Sequence, residues 1–190
     1  MRSSHSTLLR RSFVCGALIT TLSLTGGRSA DAAVTKDQCP NVDIALTASN
    51  VDEIRGGILC LTNAEREQRA LKPLREHAKL RKAALSHSSD MVRRSFFSHT
   101  TPSGTSFVDR IVRAGYTQRN DGWSLGENLA WGTGELGTAR GVHEAWMHSS
   151  GHRANILKPA FRELGIGIRP GVPTDPTVGT TYTTNFGVKL

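Results

Sequence analysis

One stretch near the C-terminus constrains this chain more than any other: WMHSSGHRANIL, Trp146 to Leu157. It joins the end of an amphipathic helix to a glycine-containing loop that presents one histidine, His152, among small and hydrogen-bonding residues. Three further motifs are expected to converge on it: FFSHTTPSG around His99, LGENLAWG around Glu127, and YTTNFG at 182–187. Two imidazoles and a carboxylate in one cleft can hold a divalent cation or transfer protons, and the sequence leaves both roles open.

The first 32 residues are typical of an export signal rather than of a folded domain. Arg10 and Arg11 precede an apolar run, Phe13 to Leu24, and small residues after the run fit a cleavage site following Ala32. The run is shorter than the roughly 20 residues that span a bilayer. We therefore predict a secreted protein with a signal peptide at 1–32. The sequence RRSFV leaves twin-arginine export and ordinary Sec export both open.

Removal of that segment changes the charge of the chain. The chain has 24 basic and 16 acidic residues, of which the segment 1–32 carries four basic residues and one acidic residue. The remainder therefore has 20 basic and 15 acidic residues, a net charge of +5. The remaining basic residues are scattered, as on solvated helix faces. Such a surface favours anionic partners such as phospholipid or wall polymers. Nothing in the sequence is typical of a nucleic-acid-binding protein.

Two cysteines remain after cleavage, Cys39 and Cys60. In an exported protein an even pair indicates a disulfide, which here would close a loop of about 20 residues and contribute roughly 3 kcal/mol. A metal site would need more soft ligands nearby. The disulfide would join an irregular N-terminal extension, 33–49, to the first helix of a single domain, 50–190.

Hydrophobic periodicity predicts four helices and three strands in that domain. The first helix begins at Asn50, whose spacing to Glu53 suits a capping box, and Pro73 ends it. The other helices are expected at about 76–94, 105–114 and 138–149, and the strands within 118–136, at 164–168 and at 180–188, with a loop at 170–178 between the last two.

Several polar residues on the first two helices need an interpretation. His87 lies on an apolar stripe, where a histidine is more often a core residue bonded to backbone than a ligand. Asp90 and Arg93 are expected to face solvent. Asn63 and Arg66 are three positions apart and form either a surface pair or a buried pair that ties the first helix to a loop.

Seven segments follow one another in a fixed order along 51–190: LTNAEREQR, AALSHSSDM, FFSHTTPSG, LGENLAWG, WMHSSGHRANIL, ELGIGI and YTTNFG. Together they resemble the CAP superfamily, the cysteine-rich secretory, antigen 5 and pathogenesis-related 1 proteins, in its bacterial secreted branch. The resemblance implies an α+β fold, a three-layer α–β–α sandwich. In it, helices cover both faces of a small antiparallel sheet, with a groove at one edge.

The groove of that family holds two histidines and two glutamates. By motif, His99 and His152 take the histidine places and Glu127 takes one glutamate place. Ser149 stands at the second glutamate place, whereas Glu144 precedes the helix tryptophan by two and is turned by roughly 200° on the helix. Ser149 and Glu144 are the remaining candidates for lining the groove, and the tetrad is reduced to a triad.

Three interpretations of the triad stay open. His99, His152 and Glu127 match the ligand count of a catalytic zinc or similar divalent site, which would make the protein a metal-dependent hydrolase or protease. Alternatively the carboxylate orients a histidine, or the cluster is a buried polar network that only shapes the groove. A serine hydrolase is disfavoured because the G-x-S-x-G motif is absent.

The resemblance favours a secreted, monomeric binding module over an enzyme. Its expected ligand is a lipid, a sterol, a cell-wall component or a protein. In the same motifs, Asn128 and Asn155 are expected to be structural residues.

Overall fold

The computed structural model describes residues 35–190, so the expected signal peptide, with its Arg10–Arg11 pair, lies outside the described residues. Short 3-10 turns occur at Lys36–Gln38 and Gly134–Gly137. The helices of this part of the chain are α1 (Val51–Glu67), α2 (Ala78–Arg93), α3 (Phe107–Arg113), α4 (Ala139–His148) and α5 (Ser150–Ile156). The strands are β1 (Arg75–Glu76), β2 (Trp123–Gly132), β3 (Glu163–Val172) and β4 (Asp175–Lys189).

The four strands form one sheet in the order β1-β3-β4-β2. Strands β2 and β3 both pair antiparallel with β4, and the two-residue β1 pairs parallel with β3. The register places Glu127 on β2 directly opposite Asn185 on β4. The motifs LGENLAWG and YTTNFG, far apart in sequence, are therefore neighbours in the sheet.

The alternation in ELGIGI explains how helices cover both faces of the sheet. Leu164, Ile166 and Ile168 point to one face, where they join a core built with α1 and α4. Gly165 and Gly167 point to the other face, where a Cβ at either position would overlap the backbone of α2. The predicted α–β–α sandwich is confirmed, with α2 on one face and α1 and α4 on the other.

The larger core lies between the sheet and the α1–α4 layer. Trp146 of α4 is buried there, and its Nε1 donates a hydrogen bond of 3.0 Å to the carbonyl of Leu129 on β2. The residues that α1, α4 and β4 contribute beside Trp146 are Ile54, Ile58, Leu61, Val142, Tyr182 and Phe186. A smaller cluster of Leu80, Ala83, Ile111 and Tyr116 joins α2 to α3.

The start and end of α1 differ from prediction. Asn50 makes no capping bond; its side chain instead accepts from the Thr47 backbone N–H at 2.7 Å and donates to the Ala45 carbonyl at 2.9 Å. The helix ends at Glu67, well before Pro73, in a turn where Ala70 has φ of 54°. The proline therefore follows the stop and does not cause it.

The polar pair on α1 is buried. Asn63 exchanges two hydrogen bonds with the backbone of Leu74, at 3.0 and 2.7 Å. Arg66 is fully buried and donates to four backbone carbonyls, those of Lys72, Ile156, Lys158 and Phe161. The buried alternative is confirmed, because these bonds tie α1 to the loop after it and to the segment that follows α5.

The segment predicted as a loop at 170–178 is a β-hairpin. Strand β3 continues through Pro170 to Val172 and β4 begins at Asp175. The register shifts between Pro170 and Val172, where Gly171 has φ of 93°. This irregularity lets a segment rich in proline and glycine stay in the sheet, because glycine supplies the positive φ of the bulge.

The described part of the N-terminal extension packs on the domain. The predicted disulfide is confirmed, with the Cα atoms of Cys39 and Cys60 5.6 Å apart. Cys39 and Val42 are both buried in the larger core. Arg140 of α4 adds a backbone hydrogen bond to the Val42 carbonyl, 2.9 Å, and an ion pair with Asp43, 2.6 Å. Along 35–190, no helix has both the length and the apolar character needed to cross a membrane.

Candidate functional site

Glu127 is the centre of the polar cluster, and its carboxylate is fully engaged. The side chain is 1% exposed. Arg110 Nη2 donates to both oxygens, at 2.8 and 2.7 Å, and His99 Nδ1 lies 2.9 Å from Oε1. With its amide turned to suit its surroundings, Asn185 donates to Oε2 at 3.0 Å. These four hydrogen bonds use the acceptor capacity of a carboxylate.

Asn185 connects this carboxylate to helix α2, which covers the same face of the sheet. In the same orientation, its side-chain oxygen accepts from the backbone N–H of Ala84 in α2 at 3.2 Å. Asn185 is fully buried, so its own polar atoms need partners. The amide NH₂ donates to the Glu127 carboxylate and the amide oxygen accepts from the Ala84 N–H, so both have one. The asparagine of YTTNFG therefore supports Glu127 from the next strand.

Arg110 of α3 is a site residue that the sequence interpretation did not include. Besides Glu127, its guanidinium donates through Nη1 to the carbonyls of His99, 3.0 Å, and Thr105, 3.2 Å. The available signal was its position, three residues after Phe107 and four before Ala114, on the buried stripe of the helix. An arginine on such a stripe needs a buried partner, and Glu127 is that partner.

His99 projects from the loop between α2 and α3 with its side chain 52% exposed. Because Nδ1 faces a carboxylate oxygen at 2.9 Å, it carries the ring proton and donates it. In the neutral ring this leaves the lone pair on Nε2, which makes no hydrogen bond with any residue in 35–190. Glu127 thus fixes the tautomer of an exposed histidine.

His87 supports the same loop from beneath. It is fully buried in α2, and its Nε2 lies 2.9 Å from the carbonyl of Ser98, the residue before His99. Its ring also meets the edge of Phe96, with centroids 5.8 Å apart. The prediction of a core histidine bonded to backbone is confirmed.

His152 lies on a helix, α5, and not on the loop expected from its glycine. It is half-buried, and burial lowers the pKa of its imidazole. A positive charge on His99 would lower that pKa further. At neutral pH His152 is therefore a neutral imidazole.

Two asparagines hold α5 against β2, as predicted for structural residues. Asn128 donates to the carbonyl of His152 at 3.1 Å. Asn155 donates to the carbonyl of Glu127 at 3.2 Å and to the side chain of Asn128 at 2.9 Å. Gly126 makes room for this contact, because a Cβ there would lie 2.8 Å from the Asn155 side-chain oxygen. These bonds bring the His152 segment beside Glu127.

Ser149 and Glu144, the two other residues expected to line the groove, lie on different parts of the surface. Ser149 is the half-buried residue that precedes α5, and its side chain makes no capping bond. Glu144 is exposed and lines a separate cavity with Asp43, Glu135 and Arg140. Two positions before Trp146, the helix turns Glu144 towards that cavity.

The side chains present do not fit a three-ligand metal centre. Among residues 35–190, no group of three or more histidine, cysteine, aspartate or glutamate side chains is arranged to hold a metal ion. Glu127, the expected third ligand, already accepts from Arg110, Asn185 and His99. The arrangement is a pair of imidazoles with one carboxylate that orients the first of them.

Comparison with known proteins places the chain in a family. The model of the CAP family, described as the cysteine-rich secretory protein family, matches residues 59–177. The chain is 38% identical over 119 residues to the uncharacterized protein YkwD of Bacillus subtilis (strain 168), covering 63% of this chain and 44% of YkwD. It is 32% identical over 111 residues to the uncharacterized membrane protein YlbC of the same strain, covering 58% of this chain and 30% of YlbC. The chain thus spans less than half the length of these curated relatives.

Solved structures share the fold. An extracellular protein of Bacillus anthracis that contains an SCP domain is 29% identical with a TM-score of 0.56, over 74% of this chain and 43% of that one. An outer surface protein of Borrelia burgdorferi is 18% identical with a TM-score of 0.63, over 77% and 100%. A cysteine-rich secretory protein of Staphylococcus aureus is 17% identical with a TM-score of 0.54, over 74% and 40%; the last two likenesses concern the fold alone. With a family match over more than half of its length, on the helices and sheet described above, this chain belongs to the CAP family of cysteine-rich secretory proteins.

Proposed function

We propose that this protein is an exported, monomeric binding module and not a hydrolase, and that its groove recognises an extracellular ligand through His99 and His152. The observation that carries the proposal is the state of Glu127. All four of its acceptor sites are used by Arg110, Asn185 and His99. Its role is therefore to hold His99 in one orientation.

A hydrolase would need more from this carboxylate. To act as a metal ligand or a general base, Glu127 would have to give up a hydrogen bond from Arg110 or Asn185. Both donors are at least nine-tenths buried, and an unpaired buried donor is costly, most of all when it is charged. The metal-dependent hydrolase is thus the less supported of the two functions.

The histidine pair suits recognition. His99 offers a ring nitrogen in a fixed tautomer at an exposed position, and His152 offers a half-buried neutral imidazole. Such nitrogens can exchange hydrogen bonds with the hydroxyl, amide or acidic groups of a lipid, sterol, cell-wall or protein ligand. A four-coordinate zinc or similar ion held by the two imidazoles alone would leave half of its coordination positions to water or ligand.

An extracellular location is supported by two independent features. The Cys39–Cys60 disulfide is of the kind that persists in oxidising compartments. The solved structure that is 29% identical to this chain is that of an extracellular protein. Both agree with the expected signal peptide at 1–32.

Binding assays with single-histidine variants test the proposal. We would measure the binding of peptidoglycan fragments, phosphatidylglycerol vesicles and dispersed cholesterol to the wild type and to the His99→Ala, His152→Ala and His148→Ala variants. His148 is the matched control, because it is exposed on α4 and bonds only the carbonyl of Glu144. We expect at least one probe to bind the wild type and the control, and each groove variant to bind it about tenfold more weakly.

Two results would count against the proposal. One is binding that neither His99→Ala nor His152→Ala changes. The other is turnover of a peptide or ester library that both groove variants abolish, accompanied by stoichiometric zinc in the wild type. The second result would favour the hydrolase.

A further inference from the structure

A basic cavity of about 570 Å³ lies on the α2–α3 side of the molecule. Five arginines line it, Arg93, Arg94, Arg110, Arg113 and Arg169, together with five serine or threonine side chains. All the lining residues are polar or charged. A cavity of this composition suits an anionic ligand rich in hydroxyl groups, and it is unsuited to an acyl chain.

Asp90 balances part of this charge. Its carboxylate oxygens bond Arg93 at 2.7 Å and Arg94 at 3.2 Å. The Asp90 side chain is only 16% exposed, so the prediction that it faces solvent is wrong, whereas Arg93 is exposed as predicted. Because both oxygens already face guanidinium groups, Asp90 presents little unscreened negative charge to the cavity.

Arg113 and Arg169 supply two of the charges that are not balanced, and a third remains because Arg93 and Arg94 share the single carboxylate of Asp90. Arg113 and Arg169 are exposed, and neither forms an ion pair with any residue in the described part of the chain. Arg110 is matched by Glu127. With Asp90 and Glu127 counted against the five arginines, the cavity retains three positive charges. Clustered guanidinium groups of this kind bind phosphate strongly, since each presents several N–H donors in a fixed plane.

Two buried nitrogen atoms in the lining residues add an independent indication of a ligand. His87 Nδ1 and Arg110 Nε are buried, and neither has a hydrogen-bond partner within 35–190. The His87 residue is fully buried and Arg110 is 9% exposed. Buried polar atoms almost always have partners. Both residues line this cavity, so its wall contains two buried nitrogen atoms without a partner among residues 35–190.

From these contacts we propose that the cavity binds the phosphate ester of a polyol. The unpaired Arg113 and Arg169 hold the phosphate, and the serine and threonine hydroxyls bind the polyol. The volume exceeds that of a phosphate alone, so part of the organic body is enclosed as well. A phospholipid headgroup and a free or polymeric polyol phosphate share this chemistry. The cavity shares Arg110 with the polar cluster around Glu127, but neither His99 nor His152 lines it, and the proposal does not depend on the function proposed for those histidines.

Isothermal titration of the purified protein with sn-glycerol 3-phosphate tests the proposal, with glycerol as the uncharged comparison. The variants are Arg113→Ala and Arg169→Ala, and the matched control is Arg75→Ala, an exposed arginine on β1 outside the cavity. We expect the wild type and the control to bind glycerol phosphate equally. Each cavity variant should weaken binding about tenfold or more, as for loss of a charged hydrogen bond, and glycerol should not bind.

Vesicles distinguish the two sources of the ligand. Co-sedimentation with phosphatidylglycerol vesicles, but not phosphatidylcholine vesicles, that is lost in Arg169→Ala would assign the site to a lipid headgroup. Binding of free glycerol phosphate without co-sedimentation would assign it to a soluble or polymeric polyol phosphate. Both outcomes support the shared chemistry. The proposal is overturned if neither probe binds, or if Arg75→Ala weakens binding as much as Arg169→Ala does.

Discussion

Arg110 and Glu127 form an ion pair that is almost closed to water, with side-chain exposures of 8% and 1% and nitrogen–oxygen distances of 2.8 and 2.7 Å. The same guanidinium holds the carbonyl of His99 at 3.0 Å. One arginine therefore fixes both the loop that carries His99 and the carboxylate that orients its ring. The buried charge pair therefore supports the position of His99, whose own side chain is 52% exposed.

The buried guanidinium of Arg66 should contribute strongly to the stability of the fold. Replacement by methionine removes the donors to four carbonyls, at least two of them in buried hydrogen bonds, and should lower the free energy of unfolding by about 3–5 kcal/mol. Urea denaturation measures this. The control is Lys72→Met, which removes an exposed cation from the adjoining loop and should change stability by less than about 0.5 kcal/mol. Equal losses in the two variants would contradict the role assigned to Arg66.

Acid should destabilise the fold through His143. Burial lowers the pKa of this histidine to about 4; the nearby Glu65 acts to raise it and Lys36 to lower it. The unfolded chain, with a histidine pKa of about 6.5, binds the proton first. Stability is therefore complete above about pH 6.5 and falls as the pH drops towards 4, by up to about 3 kcal/mol from this residue. Burial lowers the pKa of His87 and His152 in the same direction.

Unfolding curves measured between pH 7 and pH 4 check this acid dependence. His143→Leu should remove part of the slope, whereas His148→Leu, which changes an exposed histidine on the same helix, should leave it unchanged. An identical slope in the wild type and His143→Leu would show that His143 does not cause the loss.

The disulfide should contribute about 3 kcal/mol, because it closes a loop with a sequence separation of 21 residues. Cys39→Ser, Cys60→Ser and the double variant should all lose the same amount, since each removes the one bond. Unfolding measured with and without a reductant gives the corresponding difference for the wild type. Equal stability of the oxidised and reduced protein would contradict this contribution.

The groove histidines should contribute little to folding. His99 has a side chain that is 52% exposed, and His152 is half-buried on the surface of α5. The unfolding temperatures of His99→Ala and His152→Ala should lie within a few degrees of that of the wild type. For a domain of this size, such a shift corresponds to a change of about 1 kcal/mol or less in the free energy of unfolding. Differential scanning calorimetry checks this. Failure of either variant to fold would mean that the histidine belongs to the core.

The sandwich, and the placing of His99 with Glu127, were implied by the family resemblance that the ordered motifs carry. Some of these motifs also have a local pattern that explains their place in the fold. ELGIGI is an example: apolar residues and glycines alternate, one set for the core and the other for the close approach of α2. Helix α5 was missed. SGHRANI is short, polar and contains glycine, and it is held by Asn155 and by the burial of Ile156, which are tertiary effects.

The residues around Glu127 were only partly predictable. Asn185 reaches the carboxylate because of the register of β2 on β4, and a single sequence does not determine a register between strands more than 50 positions apart. Arg110 could have been noticed, since it occupies the buried stripe of α3. The partner of Arg110 could not have been identified, because the sequence offers many acidic residues and only the folded chain brings Glu127 next to Arg110.

The free energy of unfolding of Glu127→Gln, measured beside Glu144→Gln, tests the central claim most directly. The substitution keeps the size of the side chain but removes the charge that balances the buried guanidinium of Arg110. If Glu127 serves to hold that guanidinium and orient His99, stability should fall by about 3 kcal/mol or more. The same change at the exposed Glu144 should cost less than about 0.5 kcal/mol. A Glu127→Gln protein as stable as the wild type, with a loss of bound metal or of turnover instead, would contradict the account.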